Sequence, residues 1–265
     1  MNRNGLPALI FHTLVITFMV APLAVVVWVS FTPLGYIEAP TTEWSLRWYR
    51  EIWASSAFIQ SFWLSLGLAF AAATLSLVAA VPAALAIARY DFHGRGALTA
   101  IFLSPLMIPS VVLGIAFLRF LTAISITGTF YGMVLCHAIF VMPFVLRLSL
   151  ASITGMDRQA ESAAISLGAS NITTFRRVTF PMILPGLVGG WVLAFITSFD
   201  ELTVSVFIAS PSLTTLPVRL FNHITQTTTP IVASVSAVII FLSIAVIMLL
   251  ERIYGLDRLL VGTKR

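Results

Sequence analysis

Charge is scarce in this 265-residue chain: 9% of its residues are Asp, Glu, Lys or Arg, against 59% hydrophobic. Soluble domains carry about 25% charged residues, and a core this large would need a polar shell that the chain cannot supply. That deficit excludes a soluble globular domain. Cysteine is scarcer still. Cys136 stands alone, which excludes an intrachain disulfide and a cysteine-rich metal site. His12, His93, His137 and His223 are far apart in sequence, and neither H-E-x-x-H nor G-x-x-x-x-G-K-[ST] occurs. No catalytic residue and no metal site emerge, and any ATP chemistry has to come from another chain. Repeats of 20–50 residues and low-complexity linkers are also missing, so residues 1–265 read as one domain.

What the chain has instead is long apolar runs, with a mean hydropathy of +1.01. Windows of about 20 apolar residues are long enough to cross ~30 Å of hydrocarbon. Six spans fit, at 8–31, 60–88, 98–121, 130–150, 185–209 and 230–250. The segments do not alternate apolar and polar residues as barrel strands do. The expected class is an all-α polytopic membrane protein. The first run exceeds a signal-peptide core, and no small-x-small cleavage site follows it, so it reads as a retained anchor.

Lys and Arg set the orientation. With both termini inside, the inner side holds Arg3, Arg89, Arg95, Arg147, Arg158, Arg176, Arg177, Arg252, Arg258, Lys264 and Arg265. Arg47, Arg50, Arg119 and Arg219 fall outside. The positive-inside rule favours that choice. The net charge of +5 is then a topology signal, and its scatter over loops and tail argues against a nucleic-acid partner.

Several local patterns carry structural expectations. In the loop 32–59, Trp44, Trp48, Tyr49 and Trp53 recur every four to five residues or side by side, as on an amphipathic helix at the interface. Such a helix serves as an anchor or as a docking surface for an external partner. Pro105 and Pro109 kink the third span or break it beside a protein-lined or water-filled cavity. Gly186 and Gly190, four apart, let two helix backbones approach closely. Asp200 and Glu201 sit deep in the fifth span, on the helical stripes Thr197–Asp200–Thr203 and Ser198–Glu201–Ser205. A charge at the bilayer centre costs about 2.5–3.5 kcal/mol, so such acids face a cavity or a partner. Two readings stay open: one acid, with Ser198 or Thr197, lines a route for a cation, or both serve a structural ion pair or the outer headgroups.

Residues 152–185 form the longest polar interruption. Asp157 suits the start of a first helix. Ala160, Ala163, Ala164 and Leu167 give it a narrow apolar stripe, and Gly168 suits a left-handed C-cap. Ser170 or Asn171 caps a second helix with Ile172, Phe175 and Val178/Thr179 on one face and Arg176 and Arg177 beside it. Pro181 and Pro185 are expected to end that helix. An alanine pad followed by an exposed Phe suits a groove on another protein; a hairpin packed on its own bundle is the alternative.

AESAAISLGASNITTFRRVTFPMILPG resembles the E-A-A-x-x-x-G-x₉-I-x-L-P loop of ABC importer permease subunits of the type I, binding-protein-dependent class. Ala163, Ala164, Gly168 and Pro181 match the pattern; Ser162 stands in place of its Glu, Val178 of its Ile and Phe180 of its Leu, with Glu161 one place before Ser162. LSPLMIPSVVLGIAFL, LCHAIFVMPFVLRLSL and GWVLAFITSFDELTVSVFIASPSLTTLPVRLF are similar to the same family. The look is that of the second permease of spermidine/putrescine-type importers, except that Ser110 stands where those relatives often place an acid. The resemblance implies a non-enzymatic inner-membrane subunit that forms half of a substrate pathway. It implies a second permease, two cytoplasmic ATPases that supply ATP and Mg²⁺ chemistry, and an external solute-binding protein. Glu161, Ser162, Ala163, Ala164, Gly168, Phe175, Arg176 and Arg177 would dock the ATPase; Asp200, Glu201, Ser198, Thr197 and Ser110 would line the pathway. The implied cargo is a polyamine or a related small cation. Another solute (an organic amine, an amino-acid derivative, sulfate or iron) and a stand-alone ion-coupled carrier are the alternatives.

Overall fold

In lipid, a backbone can satisfy its N–H and C=O groups within one segment only as a helix, and helix is what these apolar runs form. The computed structural model describes residues 5–38, 43–227 and 229–254. Arg3, Arg258, Lys264 and Arg265 of the charge argument lie outside the described residues. The helices are α1 (Leu6–Val29), α2 (Arg47–Ala54), α3 (Ser56–Arg89), α4 (Arg95–Leu103), α5 (Ser110–Ala123) and α6 (Phe130–Gly155). They continue as α7 (Gln159–Ser166), α8 (Asn171–Thr174), α9 (Phe180–Phe199), α10 (Thr203–Ile208), α11 (Leu216–Gln226) and α12 (Ile231–Tyr254). No strand forms among the described residues.

Four helical stretches are long and apolar enough to cross a membrane: Ala8–Val29, Ser56–Arg89, Phe130–Gly155 and Asn171–Phe199. A fifth crossing is possible as a bent pair, Arg95–Leu106 and Ser110–Ala123, which meet at 105°. The third expected span is therefore a sharp break rather than a gentle kink. Pro105 is the middle residue of a 3₁₀ turn, Ser104–Leu106, and Pro109 occupies the N-cap of α5, where its missing N–H costs no helical bond. The sixth expected span falls on α12, of which Ile231–Ala245 is apolar helix.

The fifth span departs from expectation at both ends. Helix runs continuously from Asn171, and Pro181 and Pro185 do not end it. Between α8 and α9 lies a π-helical turn, Phe175–Thr179, which ends two residues before Pro181. A widened turn is a place where missing i→i−4 bonds are accommodated. At the far end, α9 stops at Phe199 and the chain restarts as α10. The two stripes through Asp200 and Glu201 are thus not continuous helical faces.

Residues 1–60 with 219–253 make one unit, and 61–218 dominate a second. In the first unit, α2 forms where the tryptophan spacing placed it. Trp48 is 3% exposed and its indole donates to the Leu34 carbonyl at 3.2 Å, whereas Trp44 and Trp53 are exposed. The Ser234 hydroxyl of α12 donates to the Ser30 carbonyl at 2.9 Å, and the Ser30 and Tyr49 hydroxyls lie 2.6 Å apart.

The second unit has two apolar clusters. One joins Ala73, Ala80 and Ala84 of α3 to Val141, Val145 and Ile153 of α6 and to Ile183 and Leu187 of α9. The other gathers Leu68, Leu113, Phe117, Met133, Val204 and Ile208 from α3, α5, α6 and α10. Small residues set the α6–α9 spacing. A Cβ added to Gly186 would meet the Ser152 Cβ at 2.3 Å, and one on Gly190 would meet the Val145 Cα at 3.3 Å. This is the close approach that two glycines four apart permit.

Candidate functional site

Local chemistry shapes the hairpin as the sequence suggests. The Asp157 carboxylate accepts from the Gln159 N–H at 2.8 Å, opening α7. Gly168 adopts φ +89° and closes it, with the Ala169 N–H donating to the Ala164 carbonyl at 3.1 Å. Of the two possible caps, Ser170 is the one used: its hydroxyl accepts from the Thr173 N–H at 3.3 Å.

The exposed apolar side chains are the expected ones only in part. Leu167 is 89% exposed, Ile172 72% and Ile165 51%. Phe175 is half-buried, its ring 6.3 Å from that of Phe180, so it does not project as an exposed knob. Thr179 is fully buried rather than sharing an open face with Ile172. A π turn spreads more residues over one revolution than an α turn and so breaks the assumed 3.6-residue alignment. Ser162, Ala163, Gly168, Arg176 and Arg177 are exposed, and Ala164 is half-buried.

Glu161 faces inward. Its side chain is 14% exposed and pairs with Arg89 of α3 at 2.5 Å. The same oxygen accepts from the Thr179 hydroxyl. Next to it, the Arg158 guanidinium donates to the Ala88 carbonyl at 3.0 Å. Burial pushes the Glu161 carboxyl up, but the hydrogen bonds from Thr179 and Arg89 and the charges of Arg89 and Arg158 more than reverse this, so it titrates below its ordinary value. Arg89 and Thr179 as its partners escaped sequence reasoning, since nothing local links Glu161 to positions 72 and 18 residues away.

Four of the expected pathway residues, Thr197, Ser198, Asp200 and Glu201, lie at the break after α9. Ser198 is buried, and its hydroxyl lies 2.9 Å from His137 Nδ1. His137 Nε2 lies 3.1 Å from the Ser205 hydroxyl of α10. His137, fully buried on α6, therefore braces both sides of the break, a role that its isolated position in the sequence did not announce. The Glu201 carboxylate accepts from the Val204 N–H at 2.7 Å and so caps α10. Asp200 is exposed, Thr197 half-buried and Ser110, at the start of α5, half-buried. Along α9, Trp191, Phe195 and Phe199 stack in sequence at 5.4 and 6.3 Å. An open groove of about 460 Å³ is lined by Trp191 and Phe195 together with Trp63, Leu66, Gly67 and Phe70 of α3. Among the described residues, no group of His, Cys, Asp and Glu could hold a metal ion.

Comparison with known proteins puts these features in one context. The family described as binding-protein-dependent transport system inner membrane component matches residues 77–256. The spermidine/putrescine transport system permease protein PotC of Haemophilus influenzae is 30% identical over 243 residues, covering 92% of this chain and 94% of PotC. The putrescine transport system permease protein PotI of Escherichia coli K12 is 30% identical over 231 residues, covering 84% of this chain and 82% of PotI. Among solved structures, a bacterial ABC transporter involved in import of the acidic polysaccharide alginate is similar with a TM-score of 0.70. It is 14% identical, with 96% of this chain and 98% of that chain covered. At that identity the likeness is one of fold.

Proposed function

This chain belongs to the binding-protein-dependent transport system inner membrane component family, and from that membership we propose that it forms half of the membrane pathway of an ATP-driven polyamine importer. It is a multi-pass inner-membrane permease subunit and not an enzyme; ATP is hydrolysed by a separate ATPase subunit. The finer reading adds a second permease chain, two cytoplasmic ATPases holding ATP and Mg²⁺, and an external solute-binding protein that delivers the cargo. Both termini lie in the cytoplasm, and the two units act as one permease domain.

The observation that carries the polyamine reading is identity sustained over most of the chain with permeases named for spermidine and putrescine. The site is compatible in chemistry. Asp200 offers an exposed carboxylate at the end of an aromatic stack, and cations are attracted both to carboxylates and to aromatic faces. At the other end, the hairpin offers the ATPase the exposed Leu167, Ile172, Ile165, Arg176 and Arg177 together with Ser162, Ala163, Ala164 and Gly168. Transport then follows from a bundle with inward and outward states, biased by nucleotide on one side and by the loaded binding protein on the other.

The test is ATP-driven uptake of labelled putrescine and spermidine by the complete complex in proteoliposomes. Accumulation of either supports the proposal. Carriage of a different solute with neither polyamine taken up would end the polyamine reading. Uptake by this chain alone without ATP would favour a carrier instead.

A further inference from the structure

We propose that Glu161 is a positioning residue that couples the hairpin to the spans, rather than an ATPase contact; this rests on the importer reading given above. Its carboxylate joins three elements of one unit. Arg89 is the last residue of α3, Glu161 lies in the first turn of α7, and Thr179 ends the π turn that leads into α9. One oxygen accepts from both the Arg89 guanidinium, at 2.5 Å, and the buried Thr179 hydroxyl.

The need for such a tie follows from what α7 lacks. None of its residues is buried. A helix that buries no side chain has little interdigitated packing through which to push its neighbours. The polar clasp is therefore the stiff connection: displacement of α7 pulls on α3 through Arg89 and on α9 through Thr179. Arg158 adds a second point of attachment at the Ala88 carbonyl, 3.0 Å away. A shift of one residue on a helix turns a side chain by about 100°. That rotation puts Ser162 outside, exposed, and Glu161 inside. An acid at position 162 would be free to meet another protein; at position 161 it is taken up by its own chain.

The proposal predicts matching behaviour for the two ends of the clasp. The complete complex is compared with Glu161→Gln, Arg89→Gln, the double variant and the exchanged pair Arg89→Glu/Glu161→Arg. In proteoliposomes each single variant should keep its ATPase subunits and lose about tenfold in putrescine uptake per ATP hydrolysed, the size of a coupling energy typical of residues in one network. Amide exchange over residues 159–174 should quicken equally in both. The double variant should be no worse than either single one, and the exchanged pair should regain part of the uptake and the protection. Release of the ATPase by Glu161→Gln but not by Arg89→Gln would overturn the proposal, because Glu161 would then be a docking residue. Unchanged exchange over the hairpin in both single variants would overturn it as well. A wild-type complex that carries no polyamine defeats the substrate reading alone, since exchange and ATPase retention report on the clasp without any cargo.

Discussion

The Nδ1 of His137 lies 2.9 Å from the Ser198 hydroxyl, so a side chain of α6 grips the last turn of α9 immediately before the chain breaks at Asp200. Its other nitrogen reaches Ser205, the third residue of α10. One buried imidazole thus spans an interruption in the fifth helix. Buried polar groups are costly when unpaired, which makes His137, Ser198 and Ser205 interdependent.

His137→Ala removes that brace and leaves two hydroxyls and a cavity behind. A loss of about 2–4 kcal/mol is expected from the combined cavity and unpaired-group costs. Thermal unfolding of the purified complex measures it. Ser198→Ala/His137→Ala should cost little more than His137→Ala, because the interaction is already gone; additive losses would contradict the brace.

Gly186→Ala places a Cβ 2.3 Å from that of Ser152. Overpacking of this kind costs about 1–3 kcal/mol. Ser152→Gly should recover part of the lost melting temperature in the double variant. Equal stability of Gly186→Ala and wild type would mean that α6 and α9 can separate freely.

Leu167→Asp and Ile172→Asp alter side chains that are 89% and 72% exposed. Neither should shift the unfolding temperature, because no buried contact is lost. Each should reduce the ATPase that copurifies with the chain by about tenfold or more, as expected for removing an apolar anchor from an interface. Intact copurification in both variants would move docking elsewhere.

Asp200→Asn should raise the apparent KM for putrescine uptake and leave stability unchanged, since the carboxylate is exposed. Glu201→Ala should instead lower stability by about 1 kcal/mol, because it removes the side chain that accepts from the Val204 N–H. Uptake kinetics and unfolding, measured on both variants, separate a pathway acid from a capping acid.

The clasp also has a pH signature. Glu161 titrates below its ordinary 4.5, and a depressed carboxylate gives stability that is complete above its unfolded value and lost as pH falls through the folded one. Hairpin amide protection should therefore be flat across neutral pH and decline only below 4.5. A decline centred near neutrality would assign it to another group.

The parts of the site that were readable in the sequence are those governed by short-range rules. The Asp157 and Ser170 caps and the left-handed Gly168 each depend on a few neighbouring residues. Gly186 and Gly190 were readable because small residues four apart on a helix let a second backbone approach closely. Other expectations failed where the helix was not regular. The π turn at Phe175–Thr179 breaks the 3.6-residue alignment of Thr179 with Ile172, and Thr179 is buried while Ile172 is exposed. The stop at Phe199 divided stripes that assume an unbroken 3.6-residue period. His137 and Ser198, 61 residues apart, carried no local signal of their meeting.

By itself, the sequence determined the class of molecule and the placement of its polar hairpin. Scarce charge and long apolar runs leave helices in lipid as the outcome, whatever the packing. Tertiary structure decided which acid of the hairpin turns inward and what receives it, and where the third and fifth spans break. Those outcomes depend on about 100° of rotation per residue and on neighbours brought in from distant helices, quantities that exist only once the helices have packed.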